Sequence, residues 1–102
     1  MTEKALFIPL KTEWYEAFES GVKTAELRIY GNRWNERTCR IGRAVTLSKG
    51  YGTKNRIHGH VSNFEKVHGS ELQPDDHTAL IKVFGTDDVW IARISVKKKE
   101  KS

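Results

Sequence analysis

The chain has 102 residues with a formal net charge of +5 and a pI near 9.5, enough for one domain with a modest core and too little for two independent folding units. A single cysteine, Cys39, excludes an internal disulfide, and the sequence holds no apolar run suited to a membrane span or signal peptide. A reducing, cytoplasmic setting without a membrane partner is therefore expected.

The run Ala5 to Leu10 is apolar and reads as a buried first strand. Thr12 then stands where a helix N-cap belongs, and Trp14, Ala17 and Phe18 give the following segment one apolar face. Gly21 supplies the stop. From Thr24 to Tyr30 the residues alternate, Ala25, Leu27 and Ile29 to one side, Thr24, Glu26, Arg28 and Tyr30 to the other. By this parity Glu26 and Arg28 share a face, and Lys23 stands in the turn just before it.

The segment Gly31 to Gly42 shows no period and predicts a long polar loop. Arg28, Arg33, Arg37, Arg40 and Arg43 crowd this region with Tyr30 and Trp34 among them, a composition suited to holding phosphates and stacking bases. Cys39 has an arginine neighbour, but no histidine at a spacing that would activate it, and reads as a small half-buried filler. Strand pattern resumes at Ala44 to Ser48, with Val45 and Leu47 inward. It continues, after a glycine-rich turn holding Tyr51, over Arg56 to Phe64, with Ile57 and Val61 inward; the two predict a hairpin. Pro74 and Asp75 open a second helix, its apolar stripe Leu80, Ile81 and Phe84, closed by Gly85. The segment Asp88 to Val96 is apolar on both parities and reads as a strand covered on both sides. Four lysines and one glutamate fill Lys97 to Ser102, so much of the basicity sits in a tail expected to be disordered, beyond a domain of residues 1–96.

The order β-α-β-β-β-α-β, with most strands adjacent in sequence, predicts an α+β fold: a small closed or half-closed β-barrel flanked by two helices. His58 and His60 are two apart on a strand, yet lack the cysteine or carboxylate partners a zinc site needs, so neither metal nor cofactor is expected. Gly50 and Gly52 are turn glycines, since no Lys-Ser or Lys-Thr helix start follows them.

Gly21, Lys23, Glu26 and Arg28 spell G-x-K-x-x-E-x-R. This pattern, placed where a helix stop runs into the second strand, resembles the signature of ASCH domains, small relatives of the RNA-binding PUA fold; the resemblance spans roughly Ala5 to Val96. It implies a PUA-like β-barrel whose cleft takes RNA or a nucleoside-like ligand, with Lys23, Glu26 and Arg28 facing it. Some relatives are nucleic-acid-binding modules, some metal-independent ribonucleases, and one branch removes an acyl group from an acylated cytidine with a lysine, a threonine and a glutamate. Lys23 matches that lysine, Glu26 occupies the threonine position, and Thr24 and Glu71 remain as its nearest substitutes.

The expected function is single-stranded RNA binding in a basic cleft by an assumed monomer, with Tyr30, Trp34 or Tyr51 stacking bases and Lys23, Arg28, Arg33 and Arg37 holding phosphates. In a ribonuclease Glu26 would serve as base, Arg28 as phosphate clamp and Lys23 as acid or electrostatic partner. The alternatives are the nucleoside amidohydrolase and an adaptor module without chemistry.

Overall fold

A computed structural model of the chain describes residues 3–99. The elements are β1 (Leu6–Leu10), α1 (Thr12–Ser20), β2 (Ala25–Ile29), β3 (Ala44–Lys49), β4 (Arg56–His68), a single 3-10 turn (Gly69–Glu71), α2 (Pro74–Phe84) and β5 (Trp90–Lys98). They form one five-stranded mixed sheet in the order β1-β3-β4-β5-β2, parallel between β1 and β3 and antiparallel elsewhere. The sheet curls into a half-barrel with the two helices against it. No helix among the described residues is long and apolar enough to cross a membrane.

The curl has a local cause in β4. Val61 pairs with Val96 and Asn63 with Ser95, leaving Ser62 without a partner. Such a bulge bends its strand and raises its twist, and β4 turns from β3, which it pairs through His60, to β5, which it pairs through His68. Strand pattern alone ends β4 at Phe64; pairing with β5 carries it four residues further.

Inside the curl lies a core of Leu6, Ile8, Leu10, Val45, Leu47, Val61, Ile94 and Val96 from the strands, with Tyr15 and Phe18 of α1 laid over it. Burying Phe18 fully contributes about 1.5–3 kcal/mol. The inward positions expected of β3 and the two-sided burial expected of β5 are both found.

Four expectations change at element ends and faces. Lys11, in extended conformation, is the N-cap of α1 and offers no side-chain bond, while Thr12 is already helical. The helix buries Tyr15 and Phe18, with Trp14 and Ala17 only half-buried, because it lies one position further round its axis than the Trp14–Phe18 pair implies. In α2 only Leu80 is buried; Ile81 and Phe84 are 40% and 42% exposed, since the short contact with the sheet admits one side chain. Ile29, on the parity of the buried Ala25, is exposed at the end of β2, an edge strand, although it still pairs with Ile91. The basic end also differs: Lys97 and Lys98 are strand residues of β5 and Lys99 N–H donates to His58 O, so strand pairing reaches past residue 96. Residues 100–102 of the expected tail lie outside the described residues.

Gly31 to Gly42 is irregular, as expected, but internally bonded. The buried Asn35 side chain donates to Gly31 O (2.8 Å) and Asn32 O (3.1 Å), and accepts from the N–H groups of Arg37 (2.9 Å) and Thr38 (3.1 Å). Cys39 is fully buried beneath it, and burial pushes its thiol pKa up.

Candidate functional site

The end of α1 aims the first ionic group. Gly21 adopts φ 85°, which only glycine takes without strain, and its N–H bonds Phe18 O (3.1 Å); Lys23 N–H then bonds Ala17 O (3.0 Å). This reversal folds the Lys23 side chain back along the helix, its Nζ 5.2 Å from the Trp14 ring centre and 5.7 Å from that of Phe18. The ammonium lies 3.5 Å from Glu26 Oε1.

Glu26 is 8% exposed, deep burial for a carboxylate, and each of its oxygens has a partner. Oε1 accepts from Leu27 N–H (3.2 Å) and faces Lys23; Oε2 accepts from Arg28 Nη2 at 2.9 Å. The parity argument holds for this pair. Arg28 Nη2 donates as well to Pro9 O at 2.6 Å. Pro9 is in β1 and Arg28 in β2, the two edge strands of the sheet, so one guanidinium spans the opening of the half-barrel. An edge is where proline is tolerated, having no N–H to donate, and its carbonyl is left for a side chain. The guanidinium carbon also lies 5.1 Å from the Trp34 ring centre.

Lys23, Glu26 and Arg28 open onto one cleft of about 420 Å³. Its walls are Trp14 of α1, Leu27, the Leu80, Val83 and Phe84 face of α2, and Tyr51 from the β3–β4 turn, with Lys11 at the α1 start. The half-exposed α2 residues thus line the cleft that the ionic groups floor. A volume of this size, mostly apolar with a few convergent polar groups, is that of a small-ligand site.

Of the stacking candidates Tyr51 is the one that lines the cleft, and of the phosphate candidates Lys23 and Arg28 do. Trp34 is buried in the core, with Arg28 and Arg33 guanidinium carbons each 5.1 Å from its ring centre, so it is no stacking platform. Tyr30 hydrogen-bonds Glu36, which raises its hydroxyl pKa and lowers that of the carboxyl, while the Lys66 ammonium lies 4.3 Å from its ring centre. Arg33 and Arg37 are exposed on the loop outside the cleft. Arg40 pairs with Glu3, and Arg43 donates to Thr38 O (2.5 Å) and Lys4 O (3.0 Å), so these two fasten the loop to the chain start. Thr24 and Glu71 are exposed, and neither lines the cleft.

Reasoning from sequence missed the α2 wall, because Leu80 and Phe84 read as core, and missed Lys11 and Pro9. The visible signal was the proline in an apolar edge strand facing an arginine-bearing strand. Among the described lining residues there is no serine, threonine, cysteine or histidine. Compared with known protein families and with curated proteins, the chain finds no match.

Proposed function

We propose that the cleft binds a nucleotide unit and that the chain is an ASCH-type domain of PUA-like fold. The observation that carries this reading is the convergence of Lys23, Glu26 and Arg28 on one end of an apolar cleft of about 420 Å³. Three cations, Lys11, Lys23 and Arg28, line it against one carboxylate. That balance suits an anionic group attached to a planar apolar body, the chemistry of a base with its phosphate. Tyr51 and Trp14 offer rings to the base. Lys23, with one carboxylate contact and three N–H donors, holds the phosphate. Arg28, committed to Pro9 O and Glu26, frames the site rather than clamping the ligand.

Trp14 makes the test direct, since its fluorescence reports occupancy. Uridine and cytidine monophosphates are expected to quench it, the bare nucleosides to bind more weakly, and Lys23→Ala to lower affinity about ten- to a hundredfold, the worth of a charge-assisted hydrogen bond. Quenching that is indifferent to Lys23→Ala, or absent for every mononucleotide, would sink the reading and favour a non-catalytic adaptor.

A ribonuclease extension is favoured by one distance, the 3.5 Å between the Lys23 ammonium and Glu26 carboxylate at the cleft floor. Glu26 takes the proton of a 2′-hydroxyl as its oxygen bonds the phosphorus, and Lys23 stabilises the charged phosphoryl oxygens and gives a proton to the 5′-oxygen as the P–O5′ bond breaks. Cleavage of a short RNA would then be lost in Glu26→Gln while binding survives. The acylated-cytidine reaction retains only Lys23 of its three residues in the cleft, because Thr24 and Glu71 point elsewhere.

A further inference from the structure

The opposite side of the sheet carries cations that the cleft does not use. Strand pairing sets Thr46 against His58, Ala44 against His60 and His60 against Lys97, and Lys99 N–H bonds His58 O. Directly paired residues share a face, so His58, His60, Lys97 and Lys99 stand together; all four are exposed and line a concavity of about 640 Å³. Lys98, on the other parity, turns to the α1 side and donates to Glu19 O at 2.9 Å. The basic face is therefore the one turned away from α1, and among the described residues no carboxylate lines it.

This face connects to the cleft. Arg56, two residues before His58, lies with its guanidinium carbon 5.4 Å from the Phe7 ring centre, and Phe7 pairs with Thr46. The Phe7 and Tyr51 ring centres are 6.3 Å apart, and Tyr51 lines the cleft. Aromatic rings and cations thus run from the cleft rim across β1, β3 and β4 to the end of β5.

We propose that this face carries a single-stranded nucleic acid that leaves the cleft over Tyr51 and lays its phosphates along Arg56, His58, His60, Lys97 and Lys99. Only the starting point of the strand rests on the nucleotide reading of the cleft. Lys97 is in β5 and Lys99, one residue past its end, still bonds His58 O, so a strand repeat of about 6.8 Å separates them, a spacing on the scale of successive phosphates in an extended polynucleotide. The rings at the rim supply stacking for unpaired bases, which a duplex keeps inside and an anionic bilayer does not offer.

The test measures binding of a labelled oligouridylate of about twelve nucleotides across a salt series, beside uridine monophosphate binding read from Trp14. The double variant Lys97→Gln with Lys99→Gln is expected to make the log affinity against log salt slope shallower by about 1.4, two single-strand phosphate contacts, with mononucleotide affinity unchanged. Arg56→Gln with His58→Gln repeats the test from the other end of the track, should the first variant fail to fold. An unchanged slope in both, an oligomer that binds no tighter than the mononucleotide, or equal capture by vesicles of anionic lipid would each overturn the proposal. A slope that falls while the mononucleotide fails to bind supports the face and removes the cleft reading instead.

Discussion

Arg28 does more for the fold than for a ligand, and its three contacts say how much. Its guanidinium bonds Pro9 O across the barrel opening, bonds Glu26 Oε2, and lies against Trp34. Taking it away leaves a carboxylate of 8% exposure with Lys23 as its remaining ionic partner and leaves the two edge strands untied. Arg28→Ala is accordingly expected to cost about 2–4 kcal/mol, between the loss of a charged hydrogen bond and the breaking of a buried pair. Arg28→Lys should recover less than half, because the shorter side chain has to reach both oxygens that the terminal Nη2 now serves and has no guanidinium plane to lay against Trp34. Urea unfolding measures both; a midpoint shift below about 0.5 kcal/mol for the alanine variant would mean that the bridge is ornamental. The same residue shows what sequence made legible. Its parity with Glu26 was readable from alternation alone, but its bond to Pro9 joins residues nineteen positions apart, and only the curl of the sheet decides that they meet.

Elements were legible where a local rule governs them and illegible where a neighbour does. Gly21 and Gly85 close the two helices at φ 85° and 72°, as left-handed stops must, and Asp88 to Val96 reads as doubly covered because it is. The face of α1 was misjudged by one position and the buried stripe of α2 narrows to Leu80, because several apolar residues compete for few contacts, and the choice between Trp14 and Tyr15, or Leu80 and Phe84, belongs to the sheet beneath. The docking of α2 depends on Gly69 for the same reason. A Cβ there would lie 2.5 Å from Asp87 O and 2.7 Å from Leu80 Cδ2, the tip of the one side chain that α2 buries. Gly69→Ala should therefore destabilise by about 1–3 kcal/mol and weaken any ligand held between α2 and the ionic floor, whereas Gly52→Ala, with open space around it, should shift stability by less than about 1 kcal/mol. Equal effects from the two, read from thermal unfolding, would mean that α2 docks without regard to Gly69.

Across the whole molecule the two sides differ in what holds them. α1 is tied to the core by two buried aromatic rings; α2 has Leu80 and a set of ionic contacts, Arg93 to Asp76 at 3.0 Å and His77 to Asp87 at 3.0 Å. A wall held mainly by charge responds to pH. The hydrogen bond from His77, with its charge, holds the Asp87 carboxyl below its ordinary value of 3.8. A carboxylate lowered in the folded state binds fewer protons there than in the unfolded chain, so stability rises with pH through that window. Its contribution is complete above the unfolded value and is lost as pH falls through the lower, folded one. Glu36, lowered by Tyr30, acts in the same direction in the loop. Acid should thus loosen α2 before the sheet, opening the cleft while the β1–β3–β4–β5 core persists. In hydrogen exchange, α2 amides are expected to lose protection as the pH falls below 3.8, ahead of those in β3 and β5. Asp87→Asn should destabilise the protein near neutrality but bring it close to wild type at a pH well below 3.8, where the native carboxyl is protonated as well. A stability difference of the same size at both pH values would remove Asp87 from the account and leave the hold on α2 to Leu80 and the Arg93–Asp76 pair.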